Sequence, residues 1–169
     1  AAAEAGRDPR NAAKVIPYVR LLLSAGAFDQ ARSAVAALVS GNDGVAEAQL
    51  LVGDVELAAG NRAGAITAYE KARQVALNDA VLGRLVAAYR GAGNSDAASK
   101  TIAEYLAYNP SSLLGQRLAA FDMIDRKLWD QALPTLYRLR ARTGVNDSVL
   151  NANIARTLTA LGEHDDAVR

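Results

Sequence analysis

Five alanines recur along the chain at nearly one pitch. Ala31, Ala65, Ala98, Ala132 and Ala167 are separated by 34, 33, 34 and 35 residues, and self-similarity at such a period constrains a fold more than any single motif does. Each alanine closes a segment with the same grammar. GAFDQA, GNRAGA, GNSDAA and GEHDDA run from a glycine through mostly polar residues to the alanine, and KLWDQA keeps the frame with Lys127 in the glycine's place. The glycines Gly26, Gly60, Gly93 and Gly162 hold the same step.

Upstream of each glycine, apolar residues recur at helical spacing, as in Val15, Tyr18, Val19 and Leu22, or Leu82, Leu85, Val86 and Tyr89. Downstream, Ala31, Val35 and Leu38, or Ala65, Tyr69 and Ala72, repeat the pattern for a second helix. Each unit therefore reads as helix, tight turn, helix, with glycine supplying the left-handed backbone that stops the first helix. Asp29, Asp96 and Asp165 fall near the start of the second helices, where a carboxylate is expected to accept free amide hydrogens. The recurrent residue is alanine for a steric reason, since a larger side chain at the close crossing of paired helices would force the backbones apart. Composition agrees: the chain is 51% hydrophobic but only 5% aromatic, so its apolar content is largely the helix-forming set of Ala, Leu and Val.

A 34-residue period with this grammar resembles the tetratricopeptide repeat over nearly the whole chain. Val52-Gly53 stands at that family's Leu-Gly pair, Tyr89 at its first-helix Tyr, the five alanines at its crossing Ala, Tyr69 at its second-helix aromatic, and Pro9 and Pro110 at its closing Pro. The departures are that no Trp begins a repeat, Glu56 replaces the first-helix Tyr of the second unit, and Leu77 and Gly144 replace the closing Pro. The resemblance implies an all-α fold, a right-handed α-solenoid of antiparallel helix pairs. The expected division is residues 1–11 as the tail of a preceding repeat or a linker, then repeats over 12–45, 46–78, 79–112 and 113–146, and a truncated repeat over 147–169, all in one continuous solenoid. Both ends cut through a repeat, so the sequence reads as a fragment of a longer, Ala-rich array of bacterial type.

In such a stack the first helices line a concave groove. The resemblance implies that partner-binding residues lie there, and register assigns Arg20, Glu47, Asp54, Arg84, Arg90, Arg117, Phe121, Asp125, Asn153 and Arg156 to that face. Arginine pairs bidentately with carboxylates and Phe121 offers an apolar anchor beside Arg117, so the expected ligand is an extended acidic-hydrophobic peptide. Chaperone-binding members of the family grip a terminal carboxylate with a clamp of Lys, Asn and Arg. The matching positions here hold Ile16, Arg20, Leu51, Ala80 and Arg84, of which only Arg84 fits, so chaperone-tail binding is not expected.

Other chemistry finds little support in the residues. Lys plus Arg number 19 against 18 Asp plus Glu, a net charge of +1 that cannot by itself hold a polyanion, which argues against nucleic acid. With no Cys and a single His, His164, there is no nucleophile–base pair of the usual kind, and Glu163-His164-Asp165-Asp166 are consecutive and cannot converge on one metal ion. Neither catalysis, a metal nor a cofactor is expected. No run is apolar enough for a membrane span. Trp129 occupies the place of Phe28 and reads as core, Pro17 falls inside a first helix that it should kink or delay, and Pro134 lies nearer a tolerated first turn.

The leading expectation is a protein–protein interaction scaffold. The alternatives are a periplasmic or outer-membrane-associated scaffold of a bacterial export or exopolysaccharide system, to whose Ala-rich arrays the chain is similar, and a regulatory module of an enzyme lying outside this stretch. Cytoplasm and periplasm both stay open, and weak end-to-end self-association is expected from the unpaired last helix.

Overall fold

The protein is described here by a computed structural model covering residues 2–41 and 44–163. Among the described residues there is no strand. The helices are α1 (Ala2–Arg7), α2 (Ala12–Ser24), α3 (Phe28–Val39), α4 (Ala46–Ala58), α5 (Arg62–Val75), α6 (Asp79–Gly91), α7 (Ser95–Tyr108), α8 (Leu113–Asp125), α9 (Trp129–Thr143) and α10 (Ser148–Leu161). They form two compact units, Ala1–Ala98 and Ser99–Arg169.

The turns from first to second helix are built as the glycines implied. Gly26, Gly60, Gly93 and Gly162 all have positive φ, between 71° and 83°. The amide of the residue after each glycine returns to the carbonyl five residues back, as in Ala27 N–H to Leu22 O and Asn61 N–H to Glu56 O. This is the reverse bonding that satisfies a helix's last carbonyls. Lys127 adopts the same conformation at φ 60°, the one non-glycine with positive φ among the described residues, and Leu128 N–H closes the same loop on Met123 O.

The helix starts depart from expectation. Asparagine and serine, with one aspartate, do the capping: the side chains of Asn11, Asn61, Asn78, Ser112 and Asp147 accept amide hydrogens at the starts of α2, α5, α6, α8 and α10. Asn94 likewise accepts from Ala97 N–H at α7. Asp29 does not cap α3, whose start has no side-chain cap; its carboxylate takes Arg32 Nη1 instead, at 2.9 Å. Asp165, with Ala167 and His164, lies outside the described residues.

Packing rests on the small residues. Ala31, Ala65, Ala98 and Ala132 each have 0% of their surface exposed. In the first unit, Val15, Val19 and Leu22 of α2 meet Ala31, Val35 and Leu38 of α3 and Leu51 and Val55 of α4. A second cluster joins Ala65, Tyr69 and Ala72 of α5 to Val81 and Leu85 of α6. The core of the second unit combines Ile124 of α8, Ala132, Leu136 and Leu139 of α9, and Leu150, Ile154 and Leu158 of α10. Gly53 has a separate reason to lack a side chain, because a Cβ there would stand 2.1 Å from Tyr69 Cε1. The glycine lets α4 and the Tyr69 ring on α5 approach closely.

The prolines behave differently from expectation. Helix α2 begins at Ala12 and continues past Pro17, so that proline does not delay it. Pro134 sits at the same depth, the sixth residue of α9, rather than in a first turn. Both are exposed, so each ring faces water. The carbonyls left without an amide partner, four residues earlier, can then be hydrated.

Candidate functional site

In the first unit α2 packs against α4 and α4 against α6, so three first helices lie side by side. Arg20 and Glu47 are exposed on α2 and α4. Asp54 and Arg84 come together across α4 and α6: Arg84 Nε donates to Asp54 Oδ1 at 2.7 Å and Nη2 to Oδ2 at 3.0 Å. The Tyr69 hydroxyl donates to Asp54 Oδ1 at 2.7 Å from beneath. The fork raises the pKa of Arg84, chiefly through its hydrogen bond to Asp54. Burial, and then the bond to Asp54, push the Tyr69 hydroxyl above its usual range. Arg90 is partly buried near the end of α6.

The second unit repeats the device with the signs exchanged. Arg117 on α8 pairs with Asp147, the cap of α10. The Asp147 carboxyl lies below the ordinary carboxylate range, first because it accepts the Leu150 amide and then because of Arg117. Phe121, one turn along from Arg117, is partly buried against the unit's core. Asp125 is exposed at the end of α8. The Asn153 amide is tied to its own helix through Val149 O at 2.9 Å. The Arg156 guanidinium lies over the Trp129 ring, 5.7 Å from its centroid, while that ring packs on the core from α9.

Several of the residues read from the sequence as ligand contacts are therefore already bonded within the protein. Asp147, Tyr69 and the stacking role of Trp129 were missed as members of this surface. A signal for the ion pairs does exist: Asp54 and Arg84 are 30 residues apart, and so are Arg117 and Asp147. Opposite charges just under one repeat apart, on residues facing the same way, fall within reach on neighbouring first helices. The pairs are only partly shielded, the side chains of Arg84 and Asp54 being 40% and 31% exposed. The Arg117 and Asp147 side chains are 30% and 20% exposed, so each pair keeps an edge open to solvent from which a ligand charge can approach.

Among the described residues no helix is long and apolar enough to cross a membrane, and no group of three or more His, Asp and Glu side chains is placed to hold a metal ion.

Antiparallel helix pairs joined by glycine turns and wedged on alanine define a helical-repeat protein. Solved structures carry the same arrangement. YrrB, described as a tetratricopeptide protein with an unusual peptide-binding site, is 15% identical with a TM-score of 0.68, over 96% of this chain and 84% of its own. MamA is 16% identical with a TM-score of 0.72, over 92% of this chain and 85% of its own. A tetratricopeptide repeat protein from Parabacteroides merdae gives 16% and 0.72, over 95% of this chain and 63% of its own. No protein-family model and no curated protein matches the sequence. The fold is that of the tetratricopeptide repeat.

Proposed function

We propose that the chain is an interaction scaffold that binds an extended polypeptide along the exposed face of its first helices. The observation that carries this reading is the Asp54–Arg84 pair, a partly exposed bidentate fork reaching from one first helix to the next. A ligand carboxylate arriving at Arg84 exchanges one ion pair for another, and a ligand cation does the same at Asp54. Each unit carries one such pair, Asp54–Arg84 in the first and Arg117–Asp147 in the second, and charge complementarity to it would orient the ligand. YrrB, which shares the fold, is described by its peptide-binding site. A polypeptide with alternating acidic and apolar residues suits the second unit, where Arg117 and Phe121 lie one turn apart on α8.

The reading is tested with fluorescent peptides of the acidic-apolar class and the double variant Arg117→Gln with Phe121→Ala. Glutamine avoids setting a new carboxylate against Asp147. Peptide affinity is expected to fall at least about tenfold, or 1.4 kcal/mol, with helix content unchanged by circular dichroism. Equal affinity for wild type and variant removes the α8 face as the site, and equal affinity for Arg84→Gln as well removes the first-helix face.

A further inference from the structure

The seams between a second helix and the first helix that follows it differ along the chain. In the first unit both are bridged by long polar side chains. Arg32 on α3 donates from Nε and Nη2 to the two carboxylate oxygens of Glu56 on α4, at 2.9 and 3.3 Å. The Tyr89 hydroxyl on α6 donates to Glu70 on α5. Beneath the Arg32–Glu56 bridge lies a cleft of about 230 Å³, lined also by Val35, Ala36, Val52 and Val55.

In the second unit the corresponding seam runs between α7 and α8. Ser99 stands where Arg32 does, directly after a crossing alanine, and Met123 stands where Glu56 does, nine residues before the next one. Across this seam the Ser99 hydroxyl donates to the Asp122 carboxylate, at 2.8 Å to each oxygen. The cleft here is about 470 Å³, twice the size of its counterpart. Its floor follows one face of α7 through Ile102, Ala103 and Leu106, with Met123 and Leu128 opposite. From Ser99 to Leu106 that face spans about 10 Å of helix. Two exposed cations, Lys100 and Arg126, stand on the rim.

We propose that the α7–α8 cleft is a second docking site, which takes an amphipathic helix of a partner protein whose apolar stripe is flanked by carboxylates. The elongated floor, with residues spaced at i, i+3, i+4 and i+7 along α7, is the groove into which a helical ridge of the same spacing seats. The two rim cations choose the sign of the flanks. This site is distinct from the first-helix face, and neither reading requires the other.

The test uses two labelled amphipathic helical peptides with leucines at i, i+3, i+4 and i+7, one flanked by glutamates and the other by lysines. Wild type is expected to bind the glutamate-flanked peptide at least about tenfold more tightly and to show methyl shifts at Ile102, Leu106 and Met123. The exposed double variant Lys100→Glu with Arg126→Glu should invert that preference. Ser99→Arg with Met123→Glu copies the Arg32–Glu56 bridge into this seam and should weaken binding at least about tenfold. If that variant does not fold, the charge reversal decides alone. The proposal is overturned if the glutamate-flanked peptide does not bind saturably, if the charge reversal leaves the preference unaltered, or if Arg117→Gln with Phe121→Ala weakens this peptide as much as the bridge does.

Discussion

Replacing Gly53 by alanine pits helix propensity against packing, and the structure decides the sign. Gly53 lies within α4, where alanine is favoured over glycine by about 1 kcal/mol. On local propensity alone the substitution is stabilising. The new Cβ, however, would stand 2.1, 2.4 and 2.8 Å from Cε1, Cδ1 and Cζ of Tyr69. That ring is 1% exposed and its hydroxyl is held by Asp54 at 2.7 Å, so it has no room to retreat. Overpacking at a rigid site costs about 3 kcal/mol, which leaves Gly53→Ala destabilising by about 2 kcal/mol once the helix gain is subtracted. Tyr69→Ala removes the obstacle at a cost of about 3–5 kcal/mol. In that background Gly53→Ala should turn stabilising by about 1 kcal/mol. Urea unfolding of the four proteins, followed by circular dichroism, gives the cycle. If Gly53→Ala raises the midpoint in the wild-type background, or lowers it equally in both, the close approach of α4 and α5 is not what requires glycine.

Other consequences follow from single residues. Lys127→Gly should raise stability by about 1 kcal/mol, because a side chain in the left-handed region is strained, whereas Lys127→Ala should not; thermal unfolding compares them. Ala132→Leu should cost about 3 kcal/mol by forcing α8 and α9 apart, seen as a lower urea midpoint. Acid should weaken the fold in a defined direction. The Glu56 carboxyl is held below its ordinary pKa, first by its hydrogen bond from Arg32. Asp147 is held low by the Leu150 amide and then Arg117. A lowered folded pKa contributes stability above the unfolded value of about 4, and this is lost as pH falls through the folded values. The urea midpoint should be level from neutral pH to about 5 and decline below about 4, with a smaller decline in Glu56→Gln.

The architecture was largely legible because it depends on steric features that recur. An alanine every 34 residues or so marks each helix crossing, and a glycine five residues earlier marks each turn; even Lys127, which breaks the pattern in type, keeps it in backbone conformation. Capping was less legible. Asp29 sits in the first turn with the right chemistry, but Arg32 one turn on competes for its carboxylate. The candidate face was legible only as a set of positions. Register says which residues face the same way. It does not say that Asp54 and Arg84 bond each other, since that depends on how closely two first helices approach and on a tyrosine hydroxyl arriving from a third. Pro17 lies inside α2 as its place in the sequence implied, but the helix starts before it at Ala12 and so is not delayed.

The most direct test of the account follows the arginine Nε–H resonances of Arg84 and Arg117 by NMR as an extended acidic-apolar peptide is added. Exchange of internal carboxylates for those of a ligand predicts saturable shifts at the arginine of the unit that takes the peptide, at Arg84 with the amides of α4 and α6 or at Arg117 with those of α8. Resonances that stay fixed while the peptide binds elsewhere, or no saturable binding at all, would contradict a polypeptide-binding face on the first helices.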